Sequence, residues 1–139
     1  MAEANGIGVI PYSPAAAGLL SGKYLGQAPK DQGGRLKTNK MYEARYSDAW
    51  MFEAAEEYVA FCKERGLHPV SAAIAWVGAH PAVTAPIIGA RNVEQLQDSL
   101  AAVKVDMTPA LHAEIAELSR TPPPATDRSE EQKVVKAGA

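Results

Sequence analysis

Two short segments of this chain hold residue types whose spacing could do chemistry. One reads Gly89-Ala90-Arg91-Asn92. Its small residues keep the backbone approachable, and Asn92 can cap a following helix whose free N–H groups attract anions. Arg91 adds a charge suited to phosphate. The other segment runs from Tyr12 and Ser13 to Lys23. There a tyrosine ring can stack on a flat ring, while the hydroxyl and the ammonium can contact phosphate. Each segment also reads as an ordinary turn with a cap, a terminal aromatic and solvated cations. The remaining candidates are weaker. His68, His80 and His112 lack the spacing to His, Cys or carboxylates that a metal site needs, so no metal is expected. The H-x-E of His112-Ala113-Glu114 is not followed by the P-C-x-x-C that would complete a zinc site. Cys62 falls late in an expected helix and reads as a buried small side chain rather than a nucleophile.

The elements that must position these residues follow from the apolar pattern. Gly6 to Tyr12 (GIGVIPY) and Val83 to Gly89 (VTAPIIG) are short β-rich runs. Their continuous hydrophobicity predicts strands buried on both faces, as in a parallel sheet. Pro11 fits only near a strand end, because it cannot donate to a ladder. Both candidate segments then lie at strand carboxyl ends, where α/β folds gather their chemistry. Ser13-Pro14 turns the chain, and Ala15 to Leu20 suits a single helical turn. Gly22 to Lys40 reads as a long loop. Ser47 is the expected cap of a helix stopped by Gly66, with Trp50, Ala54, Tyr58 and Phe61 on one face. A second helix, from about Ser71 to His80, is apolar nearly all round and should be buried. Asn92 caps a helix over 93–103, with Leu96 and Leu100 on one side. Thr108-Pro109 opens a last helix to about Ser119. Two parallel strands joined through helices, with about four helices in all, make a helix-rich α/β chain over 1–119. Residues 120–139 read as a flexible Pro-rich tail. Two strands do not close a barrel or make an ordinary doubly wound sheet, and their edges invite self-association. Alternatively, the helices repack into a bundle around the apolar segment Ala72 to Val77.

Composition narrows the classes. The 139 residues carry 14 basic and 16 acidic side chains, a formal net charge of −2, with 47% hydrophobic residues. That balance argues against wholesale disorder and lacks the basic footprint of a nucleic-acid or anionic-lipid binder. No apolar stretch approaches the roughly 18 residues of a membrane span. No signal peptide is visible at the start, and the single cysteine cannot form an internal disulfide, so a cytoplasmic setting is expected.

The two segments match one family in order and position. GIGVIPYSPAAAGLLSGKY and AIAWVGAHPAVTAPIIGARNVEQLQDSL resemble the aldo-keto reductase patterns GIGVIxYSPLxxGLLSGKY and AxAWVxxHPxVTxPIIGARNxEQLxDxL. The resemblance runs from Gly6 to about Ser119 and is to the C-terminal part of the family, from the seventh barrel strand onward. It implies a fragment of a (β/α)8 barrel and an NADPH cofactor used to reduce aldehydes or ketones. Carried over by position, Tyr12 would stack on the nicotinamide. Ser13, Pro14, Ala15 and Ala17 would line the pyrophosphate path, with Lys23 and Arg35 closing over it. Gly89 and Arg91 would hold the 2′-phosphate, and Gln95, Asp98 and Ser99 would sit at the adenine end. Ala15 stands where the family usually has leucine, and Ser99 where it usually has asparagine.

The same resemblance places the family's catalytic Asp, Tyr, Lys and His in the first half of the barrel, outside this stretch. The family sets its Tyr five residues after its Asp. Five residues on from Asp31, Asp48, Asp98, Asp106 and Asp127 stand Leu36, Glu53, Val103, Leu111 and Gln132. The expectation is therefore a cofactor-binding portion, inactive alone. Other expectations are half of a split reductase completed by a separate N-terminal chain, or a cofactor-sensing subunit similar to potassium-channel β-subunits.

Overall fold

The computed structural model describes residues 1–26, 36 and 39–120. Arg35 and residues 121–139 of the expected tail lie outside the described residues, as does most of the expected loop between Gly22 and Lys40. Five α-helices occur among the described residues: α1 (Lys40–Arg45), α2 (Ala49–Glu64), α3 (Pro69–Gly78), α4 (Val93–Leu100) and α5 (Pro109–Glu117). Tighter 3-10 turns cover Glu3–Asn5, Ala16–Ser21 and Ala101–Lys104.

Local chemistry sets the helix ends. Asp48, in extended conformation, precedes α2, one residue later than the expected cap. The Ser47 hydroxyl instead donates back to the Ala44 carbonyl. At the other end Gly66 takes a φ of +65°. Its N–H reaches the Lys63 carbonyl, and the Leu67 N–H reaches that of Cys62, the paired bonds of a left-handed helix stop. Pro69 opens α3, where a missing N–H costs nothing. Asn92 Oδ1 accepts from the Gln95 N–H at 2.9 Å, and Thr108 Oγ1 accepts from that of Leu111 at 3.2 Å.

The core is built around α3. Ala72 and Ala73 are small enough to let α2 and α5 close over them, and they share one buried cluster with Tyr58, Cys62 and Ile115. A second cluster joins Ala17, Leu19, Tyr24 and Leu36 to Ala55 of α2. Leu20 packs against both clusters. This is the helical packing around Ala72 that the apolar pattern allowed.

The expected α/β fragment with two parallel strands does not form. No strand is present among the described residues. The runs containing Val9 and Val83 lie side by side, but they pair only at two isolated parallel bridges, Val9 with Val83 and Tyr12 with Ile87. Three steps along one run correspond to four along the other, so the register slips by one residue between the bridges. Pro11 and Pro86 each withhold a ladder donor inside this stretch. Ile7, Ile10 and Ile87 remain exposed, so no packed layer fixes the pairing from outside. Gly8 is required here because a Cβ at that position would lie 2.5 Å from Thr84 Oγ1.

α4 also differs from expectation. The α-helix stops at Leu100 and tightens into the Ala101–Lys104 turn. Leu96 and Leu100 face outward, while Ser99 is buried. The polar side of this helix, not its apolar side, is turned toward α3. A hydrogen bond from Ser71 Oγ to the Asp98 carbonyl, at 2.6 Å, holds it there.

Candidate functional site

The two segments singled out in the sequence meet across one cleft of about 430 Å³. Tyr12, Ser13, Pro14, Ala15, Ala17 and Lys23 form one wall, and Gly89, Arg91, Gln95, Asp98 and Ser99 form the other. The bridge between Tyr12 and Ile87 brings the ends of the two runs together. The cleft volume falls within the range of small-molecule sites.

The first wall has unusual backbone. Ser13, Ala16 and Ala17 all have φ between +50° and +57°, a region that side-chain-bearing residues seldom occupy. Such clusters persist where surrounding structure holds them, and they mark functional loops. Ser13 Oγ accepts from the Ala17 N–H at 2.9 Å, which pins the turn. Gly18 takes a φ of +92°, a conformation that L side chains rarely adopt, and its missing Cβ leaves room for the Lys23 ammonium. The Lys23 ammonium lies 4.6 Å from the centre of the Tyr24 ring.

On the opposite wall the residues ahead of α4 hold their own cap. Gln95 Oε1 accepts from the Arg91 N–H at 3.1 Å, and the Ser99 hydroxyl donates to the Gln95 carbonyl at 2.8 Å. Two groups expected at the adenine end are therefore already bonded within α4 or its cap. The Asp98 carboxylate faces His68, with Oδ2 lying 3.8 Å from Nε2. Elsewhere Arg65 Nη2 pairs with Glu114 Oε2 at 2.7 Å. Lys23 and Arg91 bring positive charge to the cleft, with no carboxylate bound to either among the described residues.

Sequence reasoning missed several lining residues. His68, read as isolated, lies in the cleft beside Asp98, 30 positions on. Tyr42, Val70, Ile74 and Ile88 also line it. Arg45, at the end of α1, donates from Nη1 to the Tyr12 hydroxyl at 3.0 Å. That hydrogen bond raises the Arg45 guanidinium above its ordinary value. Burial is the main cause raising the Tyr46 hydroxyl. No local motif could have signalled these contacts, because they join residues about thirty positions apart. Among the described residues no group of His, Cys, Asp and Glu is placed to hold a metal ion. No described helix is long and apolar enough to cross a membrane.

A cleft combining a flat aromatic ring, two basic side chains and a capped helix start can take a flat, anionic ligand. The sequence places that cleft in a known class. The chain belongs to the aldo/keto reductase family, whose family model matches residues 1–120. It is 37% identical over 106 residues to an uncharacterized oxidoreductase, YrpG, of Bacillus subtilis, covering 73% of this chain and 29% of that protein. It is 32% identical over 103 residues to the L-glyceraldehyde 3-phosphate reductase of Escherichia coli, covering 71% of this chain and 29% of the enzyme. It is also 30% identical over 122 residues to a probable voltage-gated potassium channel subunit beta of Arabidopsis thaliana, covering 86% and 37%. The chain thus spans about a third of the length of these relatives. Aldo/keto reductases generally use a nicotinamide cofactor.

Proposed function

We propose that this chain is the dinucleotide-binding C-terminal portion of an NADPH-dependent aldo-keto reductase. The observation that carries the reading is the gathering of both sequence segments on one cleft. The residues present suit the group chemically. The exposed Tyr12 ring offers a face to the nicotinamide, and Ser13 with Pro14, Ala15 and Ala17 keeps the backbone close to the pyrophosphate path. Lys23 and Arg91 supply charge for phosphate, and the guanidinium of Arg91 suits a 2′-phosphate. Asp98, Gln95 and Ser99 are left for the adenine end. The bound cofactor would supply the hydride that reduces an aldehyde or ketone.

The acid that donates to a carbonyl must lie within hydrogen-bond reach with a tuned proton affinity. The family resemblance assigns that group to a part of the sequence that this chain does not match, so we propose no turnover by this chain alone. A separate chain carrying the Asp, Tyr, Lys and His would complete a split enzyme. The likeness to the Arabidopsis channel subunit favours a second reading, a binding subunit that senses cofactor without reducing a carbonyl.

The test is a titration of the purified chain with NADPH, followed by cofactor fluorescence, with NADH alongside. Saturable binding that prefers NADPH and weakens roughly 10- to 100-fold in Arg91→Ala is expected, since a hydrogen bond to a charged group is worth about 1.5–3 kcal/mol. No saturation by either nucleotide would sink the reading.

A further inference from the structure

The cleft holds one titratable pair that the family resemblance did not assign. His68 immediately precedes α3 and lines the cleft together with Asp98. Its Nε2 lies 3.8 Å from Asp98 Oδ2, slightly beyond hydrogen-bond range. Its Nδ1 lies 3.4 Å from Ser71 Oγ. Ser71 stands between the two residues, because the same hydroxyl donates to the Asp98 carbonyl at 2.6 Å. With that proton committed, Ser71 Oγ can only accept from His68. A neutral imidazole that puts its hydrogen on Nδ1 presents a bare lone pair at Nε2 to a carboxylate. An imidazolium carries hydrogen on both nitrogens and satisfies Ser71 and Asp98 together.

We propose that His68 is a positioning residue of the cleft, acting through Asp98 as a proton-controlled clasp. This inference rests on the dinucleotide reading above. Protonation turns the contact into an N⁺–H···O⁻ bond that fixes the Asp98 side chain on the wall. It also changes the field an anionic ligand meets. Lys23, Arg91 and Asp98 together leave the cleft one net positive charge, and the imidazolium adds a second. The other titratable groups on elements packed against α3 do not compete for His68. Tyr58 of α2 commits its hydroxyl to the Pro69 carbonyl at 2.7 Å, and Cys62 is buried. The remaining acidic and basic residues of α2, Glu94 of α4, Glu117 of α5 and Lys104 of the Ala101–Lys104 turn are exposed, while Glu114 of α5 pairs with Arg65 and His112 stacks on Trp76. Tyr42 lines the cleft as well.

The clasp predicts a direction. Affinity for an anionic dinucleotide gains from His68 as pH falls and the imidazole takes up its second proton. The experiment measures binding of NADP⁺ by calorimetry to the wild-type chain and to His68→Gln, from about pH 8 down to about pH 5.5. Taking the ratio of the two dissociation constants cancels the titration of the ligand's own phosphate. The ratio should be near one at the high end and rise to roughly two- to fivefold at the low end, the range for half-exposed charges. A second arm follows the His68 imidazole by NMR in the free chain, comparing wild type with Asp98→Asn. At about pH 5.5 the Nε2–H proton should be held in the N⁺–H···O⁻ contact and be visible in the wild type, and be lost to exchange in Asp98→Asn. Binding with a ratio that stays flat across the range overturns the proposal. Absence of any saturable binding instead overturns the dinucleotide reading. The NMR arm then decides the clasp: an Nε2–H signal that Asp98→Asn leaves unchanged refutes it, and one present in the wild type alone upholds it.

Discussion

Replacing Ser71 with alanine removes a hydroxyl on a residue that is 2% exposed and donates to the Asp98 carbonyl at 2.6 Å. Asp98 lies in the last turn of α4, which ends at Leu100. Its carbonyl is therefore among the four that a helix leaves without an intrahelical donor. In the variant that carbonyl stays packed against α3 and has lost the donor Ser71 supplied. A buried acceptor left unpaired costs about 1–3 kcal/mol, and a neutral acceptor with a short bond places this one near ~2 kcal/mol. For a unit of roughly this size the loss lowers the melting temperature by about 6–12 °C. Ser99→Ala is the matched control. Ser99 is also buried, and its hydroxyl donates to the Gln95 carbonyl at 2.8 Å. That acceptor lies inside α4, where the backbone N–H four residues on serves it, so its loss should cost less than about 0.5 kcal/mol. Urea unfolding followed by tryptophan fluorescence reads both, since Trp50 of α2 and Trp76 of α3 report loss of the helical packing. Equal midpoints for Ser71→Ala and wild type, or a Ser99→Ala cost as large as that of Ser71→Ala, would refute the reasoning.

Three further outcomes follow from the structure. Asn92→Ala removes the Oδ1 acceptor for the Gln95 N–H and should cost about 1 kcal/mol, with hydrogen exchange accelerated at the first turn of α4 and unchanged in α2. Gly8→Ala should push apart the two runs that meet at Thr84, because the added Cβ would sit 2.5 Å from its Oγ1; if the dinucleotide reading holds, NADPH affinity should fall while the helical circular dichroism stays at its wild-type value. Burial raises the Cys62 thiol from an ordinary 9.0 and the Tyr58 hydroxyl from an ordinary 10.0. The folded chain favours both neutral forms, so their contribution to stability is whole below those ordinary values and is lost as pH climbs past them. Urea midpoints should accordingly fall from about pH 9 upward, less steeply in Cys62→Ala, and a thiol reagent should label the native chain slowly and the unfolded chain fast.

Much of the helical part was legible. Asn92, Thr108-Pro109 and Gly66 are local signals, and each acts through groups within five residues of itself, so the sequence alone carries the information. The start of α3 was read two residues late because Pro69 serves as its first residue rather than as a spacer before it. Leu96 and Leu100 share one side of α4 as read, but that side faces outward, and the inner face is the one bearing Asp98 and Ser99. Hydrophobic periodicity finds a helix and its stripes, but it does not say which stripe a neighbour covers.

By itself the sequence determined the caps at Asn92 and Thr108 and the stop at Gly66, and it marked two segments, around Tyr12 and around Arg91, whose residue types suit an anionic ligand. The tertiary structure alone decided that these segments share one cleft, and that Arg45 reaches Tyr12 while His68 reaches Asp98. It also decided that the two apolar runs touch at isolated bridges instead of building a sheet. The reason is range. Caps and helix stops are settled by bonds a few residues long. A strand exists only when distant partners match its register, and two prolines with a one-residue slip deny that match here.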